Sequence, residues 1–133
     1  MIDNLYLIKQ NLDNYLKHTP FNNIKAQTTP KGDTFPKIVI QDITNTERER
    51  DFGGINRFSA VTYEIEIYAK ASGGKSERTI ANELKTHIRR FMEDELGLKR
   101  VYDSPTPNID TSVYRITMRY TVVINDKRNK FIY

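Results

Sequence analysis

The sequence predicts an α+β fold: a mostly antiparallel sheet of four to five strands with two helices packed on one face. Three observations carry that prediction. From Val61 to Ala69, apolar residues occupy every second position (Val61, Tyr63, Ile65, Ile67 and Ala69), with Thr62, Glu64, Glu66 and Tyr68 between them. A strand sends successive side chains to opposite faces, so this alternation describes one buried and one wet face. The same period recurs late in the chain in Tyr114, Ile116, Met118, Tyr120, Val122 and Ile124. Two other segments instead space their apolar residues by three and four, the signature of an amphipathic helix.

The first helix is expected over Ile2–Lys17, with Leu5, Ile8, Leu12 and Tyr15 or Leu16 as its stripe. Asp3 sits in the first turn and Lys17 and His18 in the last, as the helix dipole favours. Thr19-Pro20 ends it. Phe21–Thr28 is a weaker strand candidate, and 29–33 (T-P-K-G-D) reads as a turn. Phe35–Ile43 follows, centred on Lys37-Ile38-Val39-Ile40-Gln41, with Pro36 at a strand start where a missing N–H is tolerated. These two strands are expected to pair as a hairpin.

Thr44–Arg57 (T-N-T-E-R-E-R-D-F-G-G-I-N-R) reads as a long charged loop broken by Gly53-Gly54. Loops of this length are uncommon unless they carry function. Its charges Glu47, Arg48, Glu49, Arg50 and Asp51, with the stranded apolar residues Phe52 and Ile55, make it a candidate partner contact. The bland alternative is a solvated hairpin excursion.

After the central strand, Gly74-Lys75-Ser76 matches the end of a phosphate-cradling loop. That motif needs a glycine five positions earlier, where this chain has Ala69, so the nest of backbone N–H groups lacks its glycine. Ser76 reads instead as the N-cap of a second helix, Glu77–Leu96, accepting from the N–H of Arg78 or Thr79. Ile80, Leu84, Ile88, Phe91 and Leu96 form its apolar face, and Gly97 stops it. Leu98–Asp103 suggests a short strand and Ser104–Asn108 an irregular link, before the long strand Ser112–Ile124. Residues 1–124 thus read as one domain with an extended loop at 44–57. Asn125–Tyr133 (N-D-K-R-N-K-F-I-Y) reads as a basic tail with an apolar end, and its Lys127, Arg128, Lys130, Phe131, Ile132 and Tyr133 are further candidate contacts.

Composition narrows the function. With 133 residues, one core is expected. The hydrophobic share is 38% and the charged share 29%, a balance that suits a thin two-layer protein or a subunit that completes its burial in an assembly. A net charge of +4 is only mildly basic, and makes a nucleic-acid footprint only if the charges cluster. The absence of cysteine excludes a disulfide framework, a thiol nucleophile and a zinc ribbon, and fits a cytoplasmic origin. The two histidines, His18 and His87, have no partners at metal-ligand spacing. The N-terminal segment reads as neither a secretory signal nor a membrane span. No catalytic, cofactor-binding or metal-ligating residue is assigned, and the chain is not expected to be an enzyme.

In layout the chain resembles the tail terminator (tail completion, or head–tail joining) proteins of tailed bacteriophages. The resemblance rests on four segments: the helix Ile2–Lys17, the strand Tyr63–Tyr68 before a glycine turn, the helix Ile80–Leu96, and the late strand Tyr114–Ile124 after a proline-containing link. It covers most of the chain and has no diagnostic motif. It implies an α+β subunit of a homo-oligomeric ring, expected as a hexamer, that caps the tail tube and joins it to the head connector. Implied partners are the tail tube protein and a connector or neck protein, with DNA passing through the channel without specific binding and no membrane involved. The implied location is the virion tail or neck, after synthesis in the host cytoplasm. The contact segments 44–57 and 125–133 would then meet those partners. The two long strands, acidic through Glu64 and Glu66 and basic through Arg115 and Arg119, are expected to attract each other if they are neighbours, or to match between copies. The alternative is a small nucleic-acid-binding module in which Arg89-Arg90, Lys99-Arg100 and Lys127–Lys130 merge into one basic patch, with Tyr102 or Phe131 stacking on bases.

Overall fold

A computed structural model describes residues 4–28, 34–50, 57–107, 110, 112–125 and 130–132. Its elements run α1 (Asn4–Leu16), β1 (Lys37–Arg50), β2 (Arg57–Ala69), α2 (Glu77–Arg89) with a π-helical turn Arg90–Glu95, β3 (Lys99–Thr106), β4 (Tyr114–Asn125) and β5 (Lys130–Ile132). The strands form one antiparallel sheet in the order β1-β2-β4-β3, with β5 also on β4. This is the α+β architecture expected.

The two period-two strands are neighbours at the centre. Every residue of β4 from Tyr114 to Asn125 faces a β2 partner, from Ala69 back to Phe58. Their alternating residues Val61, Tyr63, Ile65, Ile67 and Ile116, Met118, Tyr120, Val122 are all buried. They meet Ile38 and Ile40 of β1, Ile8, Leu12 and Leu16 of α1, and Ile80, Leu84, Ile88, Phe91 and Met92 of α2 and its π turn in one core. Both helices therefore lie on the same face of the sheet.

Local chemistry sets the helix ends. The Ser76 hydroxyl accepts from the Thr79 N–H at 3.2 Å, as the sequence suggested. At the far end the Leu96 N–H reaches back five residues to the Phe91 carbonyl, at 3.0 Å. This wider turn lets the sequence neighbours Phe91 and Met92 both be buried. Gly97 then adopts φ +70°, a conformation suited to glycine.

Four expectations are corrected. The segment before β1 does not form a hairpin with it. Among the described residues only Gln27 bridges, in parallel, donating to the Ile38 carbonyl at 2.9 Å and accepting from the Ile40 N–H at 2.8 Å. The turn assigned to 29–33 lies outside the described residues. Most of the expected loop 44–57 is strand instead. Glu47, Arg48, Glu49 and Arg50 belong to β1, which pairs with β2 down to Arg50 opposite Arg57. Asp51, Phe52 and Ile55 lie outside the described residues. The sequence misled here because T-N-T-E-R-E-R has no apolar alternation to mark a strand. Two register shifts, between Asp42 and Thr44 and between Glu47 and Glu49, further break its period.

The C-terminal segment is likewise not a plain tail. Asn125 ends β4, and Lys130, Phe131 and Ile132 form β5, opposite Asn125, Ile124 and Val123. Lys127, Arg128 and Tyr133 lie outside the described residues. Finally, β3 runs on through Pro105 to Thr106 where an irregular link was expected. Proline is tolerated there because β3 is an edge strand.

Candidate interaction surface

Among the described residues no group of three or more His, Asp or Glu side chains could hold a metal ion. Two shallow grooves lie among the described residues. One of about 220 Å³ is lined by Thr86, Arg89, Arg90, Glu93 and Asp94, and one of about 390 Å³ lies along α1 beside Lys25. Two surfaces stand out.

The first is the end of the sheet away from the β2–α2 turn. Here β1 from Thr44 to Arg50, β2 from Arg57, β4 to Asn125 and β5 lie side by side. Because β2 occupies one edge of β4 as far as Asn125, β5 must lie on the other, end to end with β3, which pairs there from Arg115 to Thr121. The 14 residues of β1 span about 46 Å. The 13 residues of α2 with the 6 of its π turn span about 28 Å. Starting beside the end of β2, α2 reaches only to the level where β3 begins, opposite Thr121. The sheet outruns its helices at this end. Two of the expected contact segments, Glu47–Arg50 and Lys130–Ile132, thus lie at the same end of the sheet with β2 and β4 between them.

The second surface is the face of the sheet that carries no helix. Its side chains form a continuous ladder. Arg119 donates through Nε to Glu64 directly opposite, at 3.0 Å. One step along, Glu66 accepts from both Arg115 of β4 and the Tyr68 hydroxyl of its own strand. The expected attraction between the acidic and basic strands is thus satisfied inside one subunit. Thr106 and Thr117 link β3 to β4 through their hydroxyls at 2.6 Å. Burial, with the neighbouring Glu66 carboxylate, pushes the Tyr68 phenol up to about 12. The bond to Glu66 holds the Arg115 guanidinium more firmly protonated than usual.

Three aromatic rings on this side each meet cations. The ring of Phe35 has Lys37 Nζ and Lys70 Nζ each 4.8 Å from its centroid. Arg115 lies 5.4 Å from the Tyr68 centroid and Arg119 5.1 Å from that of Tyr102. Of the basic patch expected from Arg89-Arg90, Lys99-Arg100 and Lys127–Lys130, Arg89 and Arg100 are engaged in ion pairs, and Lys127, Arg128 and Asn129 lie outside the described residues. Arg89 pairs with Glu93 on the helical layer, and Arg100 with Asp103, which also holds Lys85. Tyr102, named from sequence as a stacking residue, is 42% exposed and lies beside Arg119. Phe35 and Tyr68 were not singled out. The signal available was their placement beside Lys37 and Lys70 at the ends of two strands that pair.

Fold and surfaces together define a two-layer α+β protein with one helix-covered face, one bare charged and aromatic face, and a sheet end that extends past the helices. No protein-family model matches the chain, and comparison with curated proteins finds no match.

Proposed function

We propose that the chain is a structural subunit of a tailed-phage virion, of the tail terminator or head–tail joining kind. It assembles into a ring, expected as a hexamer, that caps the tail tube and meets the head connector, with DNA passing through. The observation that carries this reading is the sheet end that outruns α2 and holds Glu47–Arg50 and Lys130–Ile132 at one level, on its opposite edges. A heterologous ring needs two different patches on each subunit. This sheet offers two unlike edges, β1 on one side and β3 with β5 on the other. The residues that meet tube or connector lie in the extended end. The charges of Glu64, Glu66, Arg115 and Arg119 are not part of the ring contact, because they are spent on one another. The role requires no cofactor and no catalytic residue.

Native mass spectrometry of the full chain, and of a chain lacking residues 126–133, tests this. A closed ring that loses its order on truncation is expected, as is a monomer that closes only on a tube or connector protein. A monomer indifferent to any such partner would overturn the reading.

A further inference from the structure

We propose that the bare face of the sheet is a platform for a single-stranded nucleic acid, bound without sequence preference. By register and ring contacts it displays Lys37, Lys70, Lys99, Arg115 and Arg119. Among the described side chains the carboxylates directly on this face are Glu64 and Glu66, both engaged by its own arginines; exposed Asp110 lies at the margin near Lys70, and the register puts Glu49 of β1 opposite Phe58 at the far end. Acidic Asp103, by contrast, pairs with Lys85 of α2 on the helical side. What remains turned outward is an excess of positive charge, interleaved with aromatic rings.

The rings follow a diagonal path. Phe35 lies at the start of β1, Tyr68 opposite Lys37 on β2, then Arg115 and Arg119 on β4, and Tyr102 opposite Arg119 on β3. Arg115 and Arg119 are four residues apart, about 14 Å along the strand. Bases stack on aromatic rings and equally on guanidinium planes, and a sheet face carrying such groups takes two or three bases of an unpaired strand. Here Glu66 and Glu64 hold the two guanidiniums in place beside the Tyr68 and Tyr102 rings, and the lysines at the corners are placed to meet phosphates. A duplex keeps its bases stacked on one another and gains only the phosphate contacts. An acidic polypeptide has carboxylates for the lysines but no bases for the rings. The chemistry therefore selects a single strand over both.

The test uses the full-length protein and fluorescence anisotropy with a labelled oligothymidylate of about 20 nucleotides, from about 25 to about 200 mM salt. Saturable binding is expected, with affinity falling linearly on logarithmic axes. Lys37→Gln combined with Lys70→Gln should reduce the slope by about 1.4, since each phosphate contact on a single strand contributes about 0.7. Tyr102→Ala should weaken binding about fivefold or more at fixed salt with an unchanged slope, and Tyr102→Phe should restore it. Amide shifts on β1, β2, β3 and β4 in the wild-type chain map the face without any substitution.

Absence of binding at the lowest salt would overturn the proposal. So would equal affinity for a duplex of the same length, equal competition by polyglutamate, or shifts confined to the helices. The oligomer's mass, measured separately, decides the ring, so either idea can fail while the other stands.

Discussion

Replacing Glu66 by glutamine keeps the side chain's shape and removes its charge, which makes it the most informative single change on the bare face. Glu66 is only 13% exposed at its side chain, and its partner Arg115 is 27% exposed. The carboxylate accepts from both Arg115 and the Tyr68 hydroxyl, while the Nε of Arg115 is buried and has no hydrogen-bond partner. Neutralising Glu66 therefore leaves a half-buried cation with the Tyr68 ring as its main remaining support. A hydrogen bond to a charged group contributes about 1.5–3 kcal/mol, and partial exposure argues for the lower half of that range. The expected loss is about 2 kcal/mol, a fall in melting temperature of about 8 °C for a domain of this size. Urea unfolding of Glu66→Gln, Arg115→Met and the double variant gives the coupling. In the Arg115→Met background the Glu66→Gln cost should shrink to about 0.5 kcal/mol, since no stranded cation is left behind. A cost below about 0.5 kcal/mol in both backgrounds would refute the reasoning, and place the pair with screened surface ion pairs.

Other perturbations read other parts of the structure. Ser76→Ala removes the cap on α2 and should cost about 1 kcal/mol in urea denaturation, with Ser76→Asp largely restoring it. Gly97→Ala places a side chain on a backbone at φ +70° and should cost about 1 kcal/mol or more. Stability should also fall at high pH. Burial and Glu66 raise the Tyr68 phenol from 10.0 to about 12, and burial and Glu93 raise that of Tyr120. Folded-state values above the unfolded ones mean that the unfolded chain releases these protons first. The stabilisation is complete below about pH 10 and is lost as pH rises towards 12 and beyond. Tyr68→Phe should flatten the decline in the urea midpoint across that window; an unchanged decline would contradict the assignment.

The fold was legible where one face is buried, because burial imposes a period. Val61–Ala69 and Tyr114–Val122 alternate, and each of their inward residues lies in the core bar the half-buried Tyr114. Ile80, Leu84 and Ile88 repeat at helical spacing, and they too are buried. Where neither face is required to be apolar, the sequence is silent. Thr44–Arg50 carries no alternation, and its strand character comes from pairing with β2 rather than from its own residues. The parallel bridge of Gln27 and the π turn after Arg89 are also tertiary outcomes. The first satisfies backbone groups on the β1 edge, and the second fits two adjacent bulky residues to one core. Of the surfaces, the charge match between Glu64 and Arg119 followed from strand parity alone. The Phe35 ring with its two lysines did not, because Lys70 lies 35 positions away along the chain and reaches it only through the β1–β2 register.

The outer edge of β4 is divided between two tenants. β3 pairs with it from Arg115 to Thr121 and β5 from Val123 to Asn125. The two strands are separate segments of chain on different stretches of β4, so either ladder can open without the other. Local opening free energies follow the number of bonds and buried contacts that must break together. The 3 residues of β5 should thus exchange their amides well before the 8 of β3, without exposing the β2–β4 centre. In energetic terms the C-terminal strand is a separable unit, able to leave its place on β4 for a stronger partner while the helix-covered sheet stays folded.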